Sequence, residues 1–133
     1  FVGNASHVPN LYNVPLLIVG PGIQPGMDTR IGSQFDILPT LVDLCSWQTP
    51  YAGLGRSLLD ASRPEARASL GVRGGELDWI SSVGWVSHNL ERPLGQSPGL
   101  SSAQAAQLQQ QLLATYQTAS QAQTHNKILP PLR

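Results

Sequence analysis

Charge is what this sequence has least of. Only 12% of its residues are Asp, Glu, Lys or Arg, and the eight basic and eight acidic side chains cancel. A nucleic-acid binder needs clustered positive charge to displace condensed counterions, so that class is excluded. A polybasic membrane patch is excluded on the same ground. Cysteine is nearly absent as well: Cys45 alone leaves no internal disulfide and no Cys/His zinc cluster. The longest apolar run, Val14 to Val19, contains Pro15 and falls far short of the ~20 residues a membrane-spanning helix requires. Met27 is the only methionine, so the natural start of the polypeptide is expected to lie outside the chain.

What is present is the material of a folded domain. The chain has 133 residues, 41% of them hydrophobic, with three Trp, a size at which folding hides roughly two-thirds of the unfolded surface. Thirteen Gly and eleven Pro make it rich in loops. Residues 1–13 are polar and irregular, and read as a loop. Val14-Pro15-Leu16-Leu17-Ile18-Val19 is unalternating and apolar, the pattern of a parallel strand covered on both faces, and Gly20-Pro21-Gly22 stops it.

A helix is expected next, capped by Ser33 or Asp36, with Pro39 early enough to do no harm. Ile37, Leu38, Leu41, Leu44 and Cys45 share one helical face, which predicts a buried stripe with Cys45 as a small core residue. Burial there predicts that Leu41→Ala costs roughly 2–5 kcal/mol. Strand, turn and helix in this order are α/β grammar. Residues 46–66 connect to a second region.

That region reads as an antiparallel meander. Gly74-Gly75 separates Leu70–Arg73 from Glu76–Ile80, a two-residue hairpin signal that sets Arg73 opposite Glu76. Trp85–Leu90 supplies a further strand, and Pro93–Gly99 reads as a linker. Ser101 and Gln104 have capping-box spacing. Behind them Ala105, Leu108, Leu112, Tyr116 and Ala119 form the apolar stripe of a long helix, 101–126, without formal charge. Lys127 stands near its end, and Pro130-Pro131 ends regular structure.

Convergent chemistry is scarce. His88 reads as a half-exposed sheet residue and His125 as a solvated helix end. His7 lies in a loop before the first core strand, where α/β folds carry sites, and is the one candidate metal ligand. Asp36 reads as a cap, Asp43 as a solvated helix residue, and Asp78 as facing water beside Trp79. No catalytic or substrate-binding residue is assigned.

Two stretches resemble a known family. Asn13-Val14-Pro15-Leu16-Leu17-Ile18-Val19-Gly20-Pro21-Gly22-Ile23 resembles the "VPLIIxGPGI" strand and turn late in the sulfatase superfamily. Ser33-Gln34-Phe35-Asp36-Ile37-Leu38-Pro39-Thr40-Leu41-Val42-Asp43-Leu44 resembles its "SQxDIxPTLLDL" helix, and Gly55-Arg56-Ser57-Leu58-Leu59 its "GxSLL". Order and spacing agree over residues 13–60, and the similarity is to the lipoteichoic acid synthase-like branch of phosphoglycerol and phosphoethanolamine transferases.

The resemblance implies the C-terminal fragment of an alkaline phosphatase-like α/β sandwich. Residues 1–60 would belong to the α/β core, and residues 61–133 would supply a small antiparallel sheet and a terminal helix. It implies a parent enzyme that attacks sulfate or phosphate esters through a covalent intermediate, with a divalent metal (zinc, manganese or calcium) stabilising the developing charge. The nucleophile and the Asp-His metal pair would precede Phe1, so the fragment is expected to hold no metal and to be inactive without the upstream catalytic part of the same polypeptide. A membrane anchor in the parent would place it on the periplasmic, extracytoplasmic face of a bacterial inner membrane. For Asp36, Pro39 and Thr40 the resemblance implies capping and packing behind the site. Cys45 lacks the Cys-x-Pro-x-Arg context of the modified sulfatase nucleophile and takes no such role. The alternative is a stand-alone binding or oligomerisation module that uses the long uncharged helix.

Overall fold

The computed structural model describes residues 8–48, 53–60, 62 and 68–125. A single helical turn, α1 (Val8–Leu11), opens them. A 3₁₀ turn over Gln34–Asp36 runs into α2 (Ile37–Leu44). Four strands follow, β1 (Ala68–Arg73), β2 (Glu76–Ser81), β3 (Trp85–His88) and β4 (Pro93–Gln96), and α3 (Ser102–Thr124) closes the order. The content is mixed α/β, built on a four-stranded antiparallel sheet in the order β1-β2-β3-β4.

The meander forms where turn chemistry demands it. Gly74 and Gly75 take φ of 54° and 86°, the two left-handed positions of a type I′ turn whose twist matches the flanking strands. Arg73 pairs with Glu76 in register, and their side chains form an exposed ion pair of 2.8 Å. Strand alternation then sorts the faces. Leu70, Trp79 and Val86 lie in one row across the sheet. With Leu77 they meet Ala105, Leu108 and Leu112 of α3 to make the core, each buried Leu contributing roughly 1.5–3 kcal/mol. The Ser101 hydroxyl accepts from the Gln104 N–H while the Gln104 side chain accepts from the Ser101 N–H, the expected capping box.

Several expectations are corrected. Pro93–Gln96 is an edge strand rather than a linker; proline is tolerated there because it begins the strand on the sheet's free edge. His88 is buried, not half-exposed, and its Nδ1 accepts from the Leu90 N–H at 2.9 Å. Asp78 does not face water: it is 1% exposed.

The larger corrections fall in residues 14–48. Val14–Val19 forms no strand and enters no sheet among the described residues, because no described strand lies beside it to complete a ladder. Leu17 is 84% exposed and Val19 82%. The apolar stripe of α2 has the expected spacing but is turned outward: Ile37, Leu38 and Leu41 are all exposed, whereas Pro39 and Thr40 are buried. Cys45 is exposed as well, so it is not a core residue. His7, Lys127 and Pro130-Pro131 lie outside the described residues.

Candidate functional site

Two polar centres organise the chain, one in each region. The first joins the two later family-like stretches. Ser33 and Asp36 form a reciprocal cap on the 3₁₀ turn, with the Ser33 N–H donating to Asp36 Oδ2 at 2.9 Å. The other carboxylate oxygen, Oδ1, accepts from the Arg56 N–H at 2.9 Å. One turn on, the Thr40 hydroxyl donates to the Asp36 carbonyl at 2.6 Å and accepts from the Leu58 N–H at 2.9 Å. Arg30, ion-paired with Asp28 at 2.7 Å, donates to the Leu58 carbonyl at 3.0 Å.

The segment 55–58 is therefore strapped to α2 through its own backbone. Buried N–H groups must find acceptors, and here Asp36 and Thr40 provide them. Gly55 lies so close to the helix start that a Cβ would overlap the Phe35 carbonyl. This accounts for the inversion of α2, whose polar side is occupied by the strap so that the apolar side faces out. That side and the apolar run line a shallow groove to which Leu16, Leu17, Ile18, Val19, Ile37 and Leu41 contribute beside Thr40.

The second centre sits on the sheet face opposite α3. The register aligns Gly71, Asp78 and Ser87 across three strands. Ser87 Oγ donates to Asp78 Oδ1 in a short contact, and Tyr12 Oη donates to Asp78 Oδ2 at 2.7 Å. Loss of water around the Tyr12 phenol raises its pKa from 10.0 to about 12. The hydrogen bond to Asp78 and that carboxylate's charge add to the effect, and Arg73 opposes it.

Neither centre is a catalytic constellation. Asp36, Thr40, Asp78 and Ser87 are buried, and their hydroxyls and carboxylates bond to one another, to Tyr12 or to backbone. His88 caps a loop, and His125 is the exposed C-cap of α3. Among the described residues, no three His, Cys, Asp or Glu side chains form a group that could hold a metal ion. The described residues do not fit a metal-dependent active site. Asp36 acts as the cap expected of it, and Asp43 is exposed.

The Tyr12–Asp78–Ser87 centre escaped sequence reasoning, although a signal for it existed. Counting back from Gly74-Gly75 places Gly71 opposite Asp78, and a glycine inside a strand marks a close approach by another group. That group is the Tyr12 ring.

No protein-family model matches the chain, and no solved structure matches it. No described helix is long and apolar enough to cross a membrane.

Proposed function

We propose that this chain is the C-terminal segment of a sulfatase-like enzyme of the alkaline phosphatase superfamily that acts on sulfate or phosphate esters and is inactive without the catalytic part of its polypeptide. One observation carries the reading: over residues 14–48 and 53–59 the chain is packed inside out. Leu17, Val19, Ile37, Leu38 and Leu41 are exposed, whereas Asp36, Thr40 and Ser57 are buried. An apolar patch of this kind, shared by the run 14–19 and a helix that line one groove, marks a surface built to be covered by protein. The run has the composition of a strand sheathed on both faces, and the family resemblance places such a strand in the parent's central sheet. The antiparallel meander with its closing helix is the arrangement the resemblance implies for residues 61–133. In the parent a divalent metal (zinc, manganese or calcium) and the nucleophile would come from the upstream part, and a membrane anchor would hold the assembly on the extracytoplasmic face.

The alternative, a binding or oligomerisation module working through the long helix, draws less support. α3 commits Ala105, Leu108 and Leu112 to the sheet, and none of its described residues is an exposed large hydrophobic.

The test compares the 133-residue chain with the longer polypeptide encoded by its open reading frame, using nitrophenyl phosphate and nitrophenyl sulfate with zinc, manganese or calcium. Turnover is expected only from the longer protein. Turnover by the chain alone, abolished by changing His7, would overturn the proposal.

A further inference from the structure

The segment that reaches the outer face of the sheet is lightly held. In residues 8–12, Val8 is buried, Pro9, Asn10 and Leu11 are exposed, and Tyr12 is half-buried. The apolar cluster that packs on α3, Leu77, Trp79 and Val86 with Leu108 and Leu112, lies on the other side of the sheet, and Trp85, two residues from Ser87 in its strand, is the buried apolar side chain of the sheet face that Tyr12 meets. Two side chains, Val8 and Tyr12, are therefore the only ones in this segment that enter the structure to any depth.

Tyr12 enters a place shaped for it. Gly71 is the floor, since a Cβ there would overlap the phenol ring. The hydroxyl meets a carboxylate that is 1% exposed and held from behind by the Ser87 hydroxyl. A buried carboxylate oxygen without a donor is costly, so Asp78 Oδ2 requires a hydroxyl or equivalent donor at this point, and Tyr12 Oη supplies one. Apolar floor, buried acceptor and ring-sized space are the recognition chemistry of a phenol.

We infer that residues 8–12 form a detachable strap, and that Gly71, Asp78 and Ser87 build a phenol receptor on the meander which Tyr12 fills and which a free phenol can fill in its place. Segments with few buried apolar contacts open at free energies well below global unfolding. The strap can therefore lift while the meander and α3 stay folded. Because Tyr12 leads directly into the apolar run, with the Val14 N–H donating to the Tyr12 carbonyl at 2.9 Å, the receptor also fixes where that run begins. The inference does not depend on the sulfatase-like reading.

The experiment uses the full chain. In Tyr12→Phe the ring stays and only the hydroxyl is lost. Amide exchange over residues 8–14 is expected to quicken about tenfold, with α3 amides unchanged within twofold. In Tyr12→Ala, millimolar p-cresol is expected to raise the melting temperature by about 3 °C more than toluene does. Adding Asp78→Asn should abolish that difference. Equal effects of cresol and toluene, or exchange that quickens together in the strap and in α3, would overturn the inference. So would failure of Tyr12→Ala to fold at all, since a strap that cannot be removed is not detachable.

Discussion

Residues 68–125 and residues 14–60 solve the burial problem in opposite ways. In the meander and its helix, apolar side chains go in: Leu77 is 2% exposed, and Val86 and Leu112 are fully buried. Among the described residues of the earlier region, those buried are Asp36, Pro39, Thr40 and Ser57, while Phe35, Ile37, Leu38 and Leu41 face out. The first region is held by the hydrophobic effect, which scales with area and tolerates approximate fit. The second is held by a few directional hydrogen bonds, each modest in net strength but costly to leave unmade. The regions should fail differently when perturbed.

The largest effect is expected at the centre of the apolar core. Leu112→Ala empties a fully buried site between α3 and the sheet and should cost about 3–5 kcal/mol, read as a fall in the urea midpoint of Trp fluorescence. A loss below about 1 kcal/mol would mean the core is far looser than its burial indicates.

Next comes the polar centre. Asp36→Ala removes the acceptor for both the Ser33 and Arg56 N–H groups, and should cost about 2–3 kcal/mol of local stability. Thr40→Val keeps the shape but strands the Leu58 N–H, for about 1–2 kcal/mol. Both are measured by amide exchange at Arg56 and Leu58. Protection that survives both substitutions would show that the strap over 55–58 is held by something other than these acceptors.

The unequal legibility of the two regions has the same origin. The hairpin, the Arg73–Glu76 pairing and the Ser101 cap could be read because each depends on residues a few positions apart. The spacing along α2 was legible too, but not which side of the helix is buried. That is decided by Arg56 and Leu58, partners with no periodic signature, whose backbone rather than side chains makes the contacts. Asp78 was misread for a related reason. An Asp beside Trp on a strand ordinarily faces water, and its burial depends on a tyrosine 66 positions away in the chain. The apolar run reads as a parallel strand but forms none among the described residues, because pairing is a property of the partner.

A smaller effect, with a pH signature, is expected at Tyr12. Its phenol, faced by Asp78 and by Arg73 (itself paired with Glu76), holds its proton up to about pH 12 in the folded chain against 10.0 when unfolded. A folded pKa above the unfolded value contributes stability that is complete below pH 10 and lost as pH rises from 10 toward 12. The stability difference between the wild type and Tyr12→Phe should therefore hold constant to about pH 9.5 and fall progressively as the pH rises from 10 toward 12. A difference that closes near neutrality instead would assign the effect to another group.

The smallest effect makes the sharpest comparison. Leu17 and Leu41 have the residue type of Leu112, but they are 84% and 43% exposed. Leu17→Ser and Leu41→Ala should each change the stability of this chain by no more than about 0.5 kcal/mol, well under the 2–5 kcal/mol that helical spacing alone would assign to Leu41. If the apolar side of this region is an interface with the rest of a sulfatase-like enzyme, the same substitutions in the longer polypeptide should each cost about 2 kcal/mol or more. The side chain is then taken out of water by the partner rather than by its own chain. Melting curves of the four variants against their two parent proteins decide the point. Near-zero effects in both contexts would leave residues 14–60 an exposed apolar surface without an intramolecular partner, and the inside-out packing would need a separate chain to explain it.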